Sequence, residues 1–261
     1  MSLPALAARD VSVSLGGRRV VDGATFTAEG GTFVAIVGPN GAGKTTLVRA
    51  LAGLAPATGS ITLGDTALAA LPPAERARRI GYLPQGHVFH WPLTVAEVVG
   101  LGRLPHTHGA GLGEADRAAV ETALAETGTA AYRERAVTSL SGGEKARVAL
   151  ARVLATEAPI ILADEPTASL DPHYQIAIMA MLRRHAEAFG LVIAVLHDLA
   201  LAARFVDRVL VMDGGRIVAD GPPRDVLTVE RMRTTFGVEA AVTEIGGAPV
   251  IVPLGLSGGS R

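Results

Sequence analysis

Residues Gly38-Pro39-Asn40-Gly41-Ala42-Gly43-Lys44-Thr45-Thr46 fill the spacing G-x-x-x-x-G-K-[ST] at every required position. Glycines at 38, 41 and 43 let backbone N–H groups turn inward around phosphate oxygens with no Cβ in the way. Lys44 can reach the β- and γ-phosphates of a nucleotide, and the Thr45 hydroxyl suits a Mg²⁺ ion. Hydrolysis needs more than this cradle: a carboxylate for the metal and a group that activates the attacking water. Ile160-Ile161-Leu162-Ala163-Asp164-Glu165-Pro166 offers both. Asp164, at the carboxyl end of an apolar run, can hold the metal or its water, and Glu165 can act as general base or orient that water. An Asp-Glu pair standing alone is an ordinary solvated turn, and the complete phosphate loop is what gives it another meaning.

At Leu140-Ser141-Gly142-Gly143-Glu144 a serine and two glycines open a helical stretch, Lys145 to Ala155. Taken alone this is a helix cap, yet it is also a second helix start able to bind an anion, with Ser141 placed to donate to phosphate and the backbone of Gly142 and Gly143 exposed. Asp171 before Pro172 has the form of a cap for the next helix.

These groups need a scaffold, and the flanking patterns supply one. The apolar run Thr32 to Val37 before the phosphate loop has buried-strand length, and Thr46 to Leu54 after it has helical spacing. Ala5 to Leu15 and Val20 to Ala28 alternate around the turn Gly16-Gly17-Arg18, which predicts two antiparallel strands forming a small β-layer. Gly59 to Asp65 reads as a strand and turn, and Ile80 to Gln85 as a strand stopped by Pro84, after which Gln85 opens a loop. From 86 to 158 the pattern turns helical, with helices predicted over Thr94 to Leu101, Glu114 to Thr127 and Gly143 to Thr156. Alternation then resumes, with strands at Ile160–Ala163, Leu191–Leu196 and Arg208–Met212 and helices at Pro172–Phe189 and Asp198–Phe205. That order predicts a mainly parallel α/β sheet with crossover helices and a helical insertion. Residues 1–236 are expected to form the nucleotide-hydrolysing domain, and 237–261 a short extension with one or two short strands and a disordered Gly/Ser tail at 257–260.

Composition narrows the classes. The 24 basic and 25 acidic side chains nearly cancel, so no overall field draws the chain to nucleic acid or anionic lipid. There is no cysteine, which excludes disulfides and thiolate metal sites. Met1 to Ala8 lacks a signal-peptide pattern, and no apolar run nears the roughly 20 residues of a membrane span. The expected place is the cytosol, with any membrane role arising through another subunit. The pairs His87/His90 and His106/His108 have metal-like spacing, but no carboxylate lies in a supporting position.

The combination of motifs resembles the ATP-binding subunit of an ABC transporter over nearly the whole chain. Gly38 to Thr46 is similar to the Walker A motif, Gln85 to the Q-loop, Leu140 to Glu144 to the signature motif, and Ile160 to Glu165 to Walker B. Ser169-Leu170-Asp171 is similar to the D-loop and His197 to the switch histidine. The resemblance implies a P-loop NTPase (RecA-like) core, ATP and Mg²⁺ as ligands, and a catalytic role for Glu165, Lys44, His197 and Gln85. It also implies that Gln85 joins Thr45 and Asp164 around the metal. In that family two copies pack head to tail, so Ser141, Gly142 and Gly143 serve the nucleotide held by the other copy. The place that matches the family's adenine-stacking aromatic is Leu15, which implies apolar contact instead of stacking.

The segment Pro92 to His106, with the tail Phe236-Gly237-Val238 and Gly246 to Pro249, resembles the importers of ferric siderophores, haem and cobalamin. That resemblance implies a homodimer under a permease dimer, at the cytoplasmic face of the inner membrane, fed by a substrate-binding protein. Trp91, with Phe89, Pro92 and Leu93, is expected in an exposed apolar groove facing the permease. A soluble ABC-type ATPase of translation or DNA repair would use the same motifs, normally beside a second cassette, a long coiled coil or a basic extension.

Overall fold

A computed structural model describes residues 5–86, 89–107, 111–188 and 190–258. The chain opens with β1 (Ala5–Leu15) and β2 (Arg18–Glu29), joined by the Gly16-Gly17 reversal. There follow β3 (Thr32–Val37), α1 (Lys44–Leu51), β4 (Thr58–Leu63), β5 (Thr66–Ala67), α2 (Pro73–Arg79) and β6 (Ile80–Leu83). The helical segment contributes α3 (Val95–Gly100), α4 (Glu114–Glu126) and α5 (Gly142–Leu154). Beyond it run β7 (Ile160–Asp164), α6 (Pro172–Glu187), β8 (Leu191–Val195), α7 (Leu199–Phe205) and β9 (Arg208–Asp213). The chain closes with β10 (Arg216–Gly221), α8 (Pro223–Val226), α9 (Val229–Thr234), β11 (Val238–Ile245) and β12 (Ala248–Leu256).

The central sheet has the order β10-β9-β3-β8-β7-β6 and is parallel except at its β10 edge. A second sheet, β2-β1-β4-β5, is antiparallel. Strands β3, β7 and β8 lie between layers, which is why their sequences are nearly continuous apolar runs instead of alternations. On β3, Val34 and Ile36 pack toward Leu47 and Leu51 of α1 and toward the antiparallel sheet. Phe33, Ala35 and Val37 pack on the other face, toward Leu150 of α5 and Ile178 and Leu182 of α6. A third apolar cluster, built on Val95, Val98, Leu124 and Val148, holds the helical layer together. The fold is thus the α/β arrangement expected, and helix ends differ from expectation by at most three residues.

Elsewhere the structure differs from the sequence reading. α2 was not expected, and none of its side chains is buried, so its sequence carries no apolar stripe. β10 follows β9 through Asp213-Gly214-Gly215, a reversal signal that could have revealed it. The extension holds not short strands but an antiparallel hairpin of eight and nine residues, seated on α7, α8 and α9. Ser257 N still donates to Gly237 O at 3.0 Å, while residues 259 and 260 of the expected Gly/Ser tail, with His87, His108 and Phe189, lie outside the described residues.

Candidate functional site

Four parallel strands end at one edge of the central sheet, and the chemistry-bearing residues follow them directly. The phosphate loop follows β3, Gln85 follows β6, Asp164 ends β7 with Glu165 next to it, and His197 follows β8. The loop reaches α1 through Gly43, whose φ of 94° and whose approach to Val20 O leave no room for a side chain: a Cβ there would lie 2.5 Å from that oxygen. The same contact brings the β1–β2 hairpin against the loop, with Leu15 half exposed at the hairpin's end.

Lys44 is buried, and its Nζ donates to Gly38 O at 2.8 Å and Pro39 O at 2.9 Å. Burial pushes the Lys44 ammonium below the ordinary lysine range, while the charges of Glu165 and Asp164 oppose that shift. Thr45 Oγ1 donates to Asp164 Oδ1 at 2.8 Å. Glu165 has both carboxylate oxygens engaged: Gln85 Nε2 donates to Oε2 at 2.7 Å, and His197 Nε2 lies 2.6 Å from Oε1, where it donates when the carboxylate is ionised. Glu165 itself sits at φ 51°, a left-handed backbone that costs on the order of 1–3 kcal/mol for a residue with a side chain. Its N–H donates to Val195 O at 3.2 Å, which ties that strained residue to the neighbouring strand.

Asp164 is fully buried, and its Oδ2 has no hydrogen-bond partner. Burial pushes its carboxyl above the usual range, the Thr45 hydroxyl pulls it down, and the Glu165 charge raises it. A buried carboxylate oxygen left over beside a hydroxyl is a donor set that fits a small, hard divalent cation such as Mg²⁺. Until a cation is bound, that ionised carboxylate opposes folding. The folded state holds the Asp164 proton more tightly than the unfolded chain, so the penalty develops as pH rises from the ordinary carboxylate range through the raised value and persists above it. Asp164→Asn is therefore expected to raise the melting temperature of the nucleotide-free protein near neutral pH, by about 2–4 °C for each kcal/mol relieved. The gain should vanish in acid, where the native aspartate is already neutral. Melting curves across pH check this, and a lower midpoint at neutral pH would contradict it.

The second helix start forms a reciprocal cap. Ser141 Oγ accepts from Glu144 N at 3.3 Å, and Glu144 Oε2 accepts from Ser141 N at 2.8 Å, which holds the Glu144 carboxyl below its usual range. Neither residue bonds to the phosphate loop of its own chain among the described residues. Asp171 Oδ1 accepts from Tyr174 N at 3.1 Å, capping α6. The structure thus brings Lys44, Thr45, Gln85, Asp164, Glu165 and His197 together and leaves Ser141 to Gly143 apart. Trp91 is 75% exposed, whereas Phe89 and Leu93 pack inward. His106 is taken up by Thr156 O, 3.0 Å from its Nε2. The sequence reading missed Tyr82 and Arg49, which flank Asp164. Tyr82 alternates with buried Gly81 and Leu83 on β6, a strand whose carboxyl end was already marked as part of the site.

Residues 21–168 match the family described as ABC transporter. The chain belongs to that family. It is an ABC-type ATPase, and it binds ATP. A Hemin import ATP-binding protein of Nocardia farcinica is 44% identical over 240 residues, covering 91% of this chain and 83% of that protein. A Cobalamin import ATP-binding protein of Halobacterium salinarum is 43% identical over 248 residues, covering 94% of this chain and 62% of the longer relative. Among solved structures, a dimeric ATP-binding cassette in a post-hydrolysis state, bound to ADP and Pi, superposes with a TM-score of 0.73 at 29% identity, covering 84% of this chain and 99% of that one. Cassettes of this ABC family form dimers, and those of import systems pair with a permease.

Proposed function

We propose that this chain is the ATP-hydrolysing subunit of an importer for haem or a related iron complex, or for cobalamin, working as a homodimer under a permease dimer. The observation that carries the ATPase half is the Gln85–Glu165–His197 group at the mouth of the phosphate loop. The cargo half rests on the relatives named for hemin and cobalamin import, because no residue of this chain need touch the cargo. Among the described residues no helix is long and apolar enough to cross a membrane, so the chain would sit at the cytoplasmic face of the plasma membrane by holding the permease.

In the mechanism, ATP draws Lys44 off the carbonyls of Gly38 and Pro39 and onto its β- and γ-phosphates. Thr45, Asp164 and Gln85 would hold Mg²⁺, whose contribution is to neutralise phosphate charge. Gln85 and His197 both hold the Glu165 carboxylate, so one of them must let go before Glu165 can accept a proton from water. That water attacks the γ-phosphorus in line, the bond to the leaving ADP oxygen breaks, and Lys44 with Ser141 of the second copy stabilises the charge. His197 then contacts the γ-phosphate position and responds to its loss. Gln85, at the start of the loop that leads to Trp91, passes the change on toward the permease.

A groove of about 520 Å³ between core and helical layer is lined by Leu54, Arg76, Leu101, Leu104 and Pro105. Leu54, Leu101 and Leu104 are exposed there, and Trp91 is exposed as well, which fits a partner surface. Trp91→Ala is expected to leave ATP binding unchanged and to reduce recovery of the permease in pull-downs by about tenfold, the scale of an aromatic anchor. Undiminished co-purification would remove Trp91 from the interface. The function as a whole is tested by capturing tagged Glu165→Gln protein with ATP from native membranes, identifying the bound permease, and assaying uptake of haem, ferric siderophore and cobalamin. Recovery with ribosomes or DNA instead would overturn the import reading.

A further inference from the structure

The helix start at Ser141 and the Asp171 loop belong to different layers, yet a single ring joins them. Gly143 is buried, and a Cβ built on it would lie 2.3 Å from Cδ2, 2.5 Å from Cε2 and 2.6 Å from Cγ of Tyr174. The Tyr174 ring therefore rests directly on the backbone of the first turn of α5. One turn further along α5, the guanidinium of Arg147 lies over the same ring, 5.4 Å from its centroid. Arg147 also lies 5.8 Å from the Tyr132 ring, and its Nη1 donates to Thr127 O and Gly128 O at the end of α4. Arg135 covers Tyr132 at 5.4 Å, so the stack Tyr174–Arg147–Tyr132–Arg135 runs from the core helix into the helical layer. At its other end Tyr174 is fixed through its own N–H to Asp171, the cap of α6.

We propose that Tyr174 is a positioning residue that locks the Ser141–Gly143 helix start against α6, so that this helix start meets the nucleotide of a second copy in a fixed orientation. This rests on the two-copy reading given under Proposed function. A ring that only filled space would contribute stability and nothing more. A ring that sets the orientation of that partner-facing helix start changes how readily ATP assembles two copies, while leaving each copy's own phosphate loop alone. The three atoms nearest a Cβ at Gly143 are all ring carbons of Tyr174, so phenylalanine should serve as well as tyrosine.

The test uses the full chain carrying Glu165→Gln, with ATP titrated while mass is followed by light scattering. Adding Tyr174→Ala is expected to raise the ATP concentration for half-dimerisation by about tenfold, and Tyr174→Leu, which fills space without a π face, by about threefold or more. Tyr174→Phe should stay within about twofold of the parent, and ATP affinity of the dilute monomer within about twofold for all three. Should the alanine variant fail to fold, the leucine variant carries the test. Parent-like dimerisation by the leucine variant, or a phenylalanine variant as impaired as the alanine one, overturns the proposal. A Glu165→Gln parent that never dimerises with ATP overturns the two-copy reading and the positioning role together.

Discussion

Glu165→Gln is expected to lower ATP turnover by about 10²-fold or more while leaving ATP affinity intact, the scale of a lost general base. The substitution keeps the size and planarity of the side chain and one carbonyl oxygen. It removes the negative charge and the basic oxygen that would accept a proton from water. Gln85 Nε2 and His197 Nε2 both now donate to this carboxylate. An amide offers an acceptor oxygen on one side and N–H donors on the other, so it keeps both neighbours only if His197 Nε2 turns from donor to acceptor. Lys44 and Thr45, which hold the phosphates and the metal, are untouched. Steady-state hydrolysis with a direct binding measurement separates the two effects: near-normal turnover would remove Glu165 from the reaction, and lost affinity would make it a binding group.

Gly142→Asp is expected to abolish ATP-driven dimerisation and to cut hydrolysis by about 10²-fold or more, with ATP binding to the monomer unchanged. The free protein should tolerate it. Gly142 is exposed, and a Cβ there meets nothing within 4 Å. A carboxylate in the first turn of a helix is also favourable, by about 0.3–1 kcal/mol. The damage arises only when a second copy's γ-phosphate arrives at that helix start and finds a negative charge where N–H groups and the Ser141 hydroxyl should be. Normal melting behaviour with failed assembly is the pattern to look for. Normal assembly would mean that Ser141 to Gly143 do not face a nucleotide.

The local parts of the site were legible because backbone geometry forces particular residue types at fixed offsets. The loop before α1 needs glycine at 43, and the start of α5 carries its own capping box in Ser141 and Glu144. The contacts between parts were not legible. Glu165 meets Gln85 across 80 positions and His197 across 32, and nothing in the spacing announces that both share its carboxylate. The packing of Gly143 on Tyr174 is equally silent, since a glycine that opens a helix reads the same with or without a ring on it. Strands β3, β7 and β8 announced themselves by apolar runs, whereas α2 turns no face inward and left no period to read. The closing hairpin was underestimated because its β12 carries Pro249 and Pro253, which weaken any strand assignment.

The central claim is that the phosphate loop is half of a site, completed by Ser141 to Gly143 of a second copy. The most direct measurement is the mass of the Glu165→Gln chain by light scattering as ATP is added. The mass is expected to shift from 26.8 kDa to twice that value, saturating with ATP and blocked when Gly142→Asp is added to the same chain. A chain that binds ATP yet stays at 26.8 kDa, or that doubles in mass with Gly142→Asp present, would contradict it.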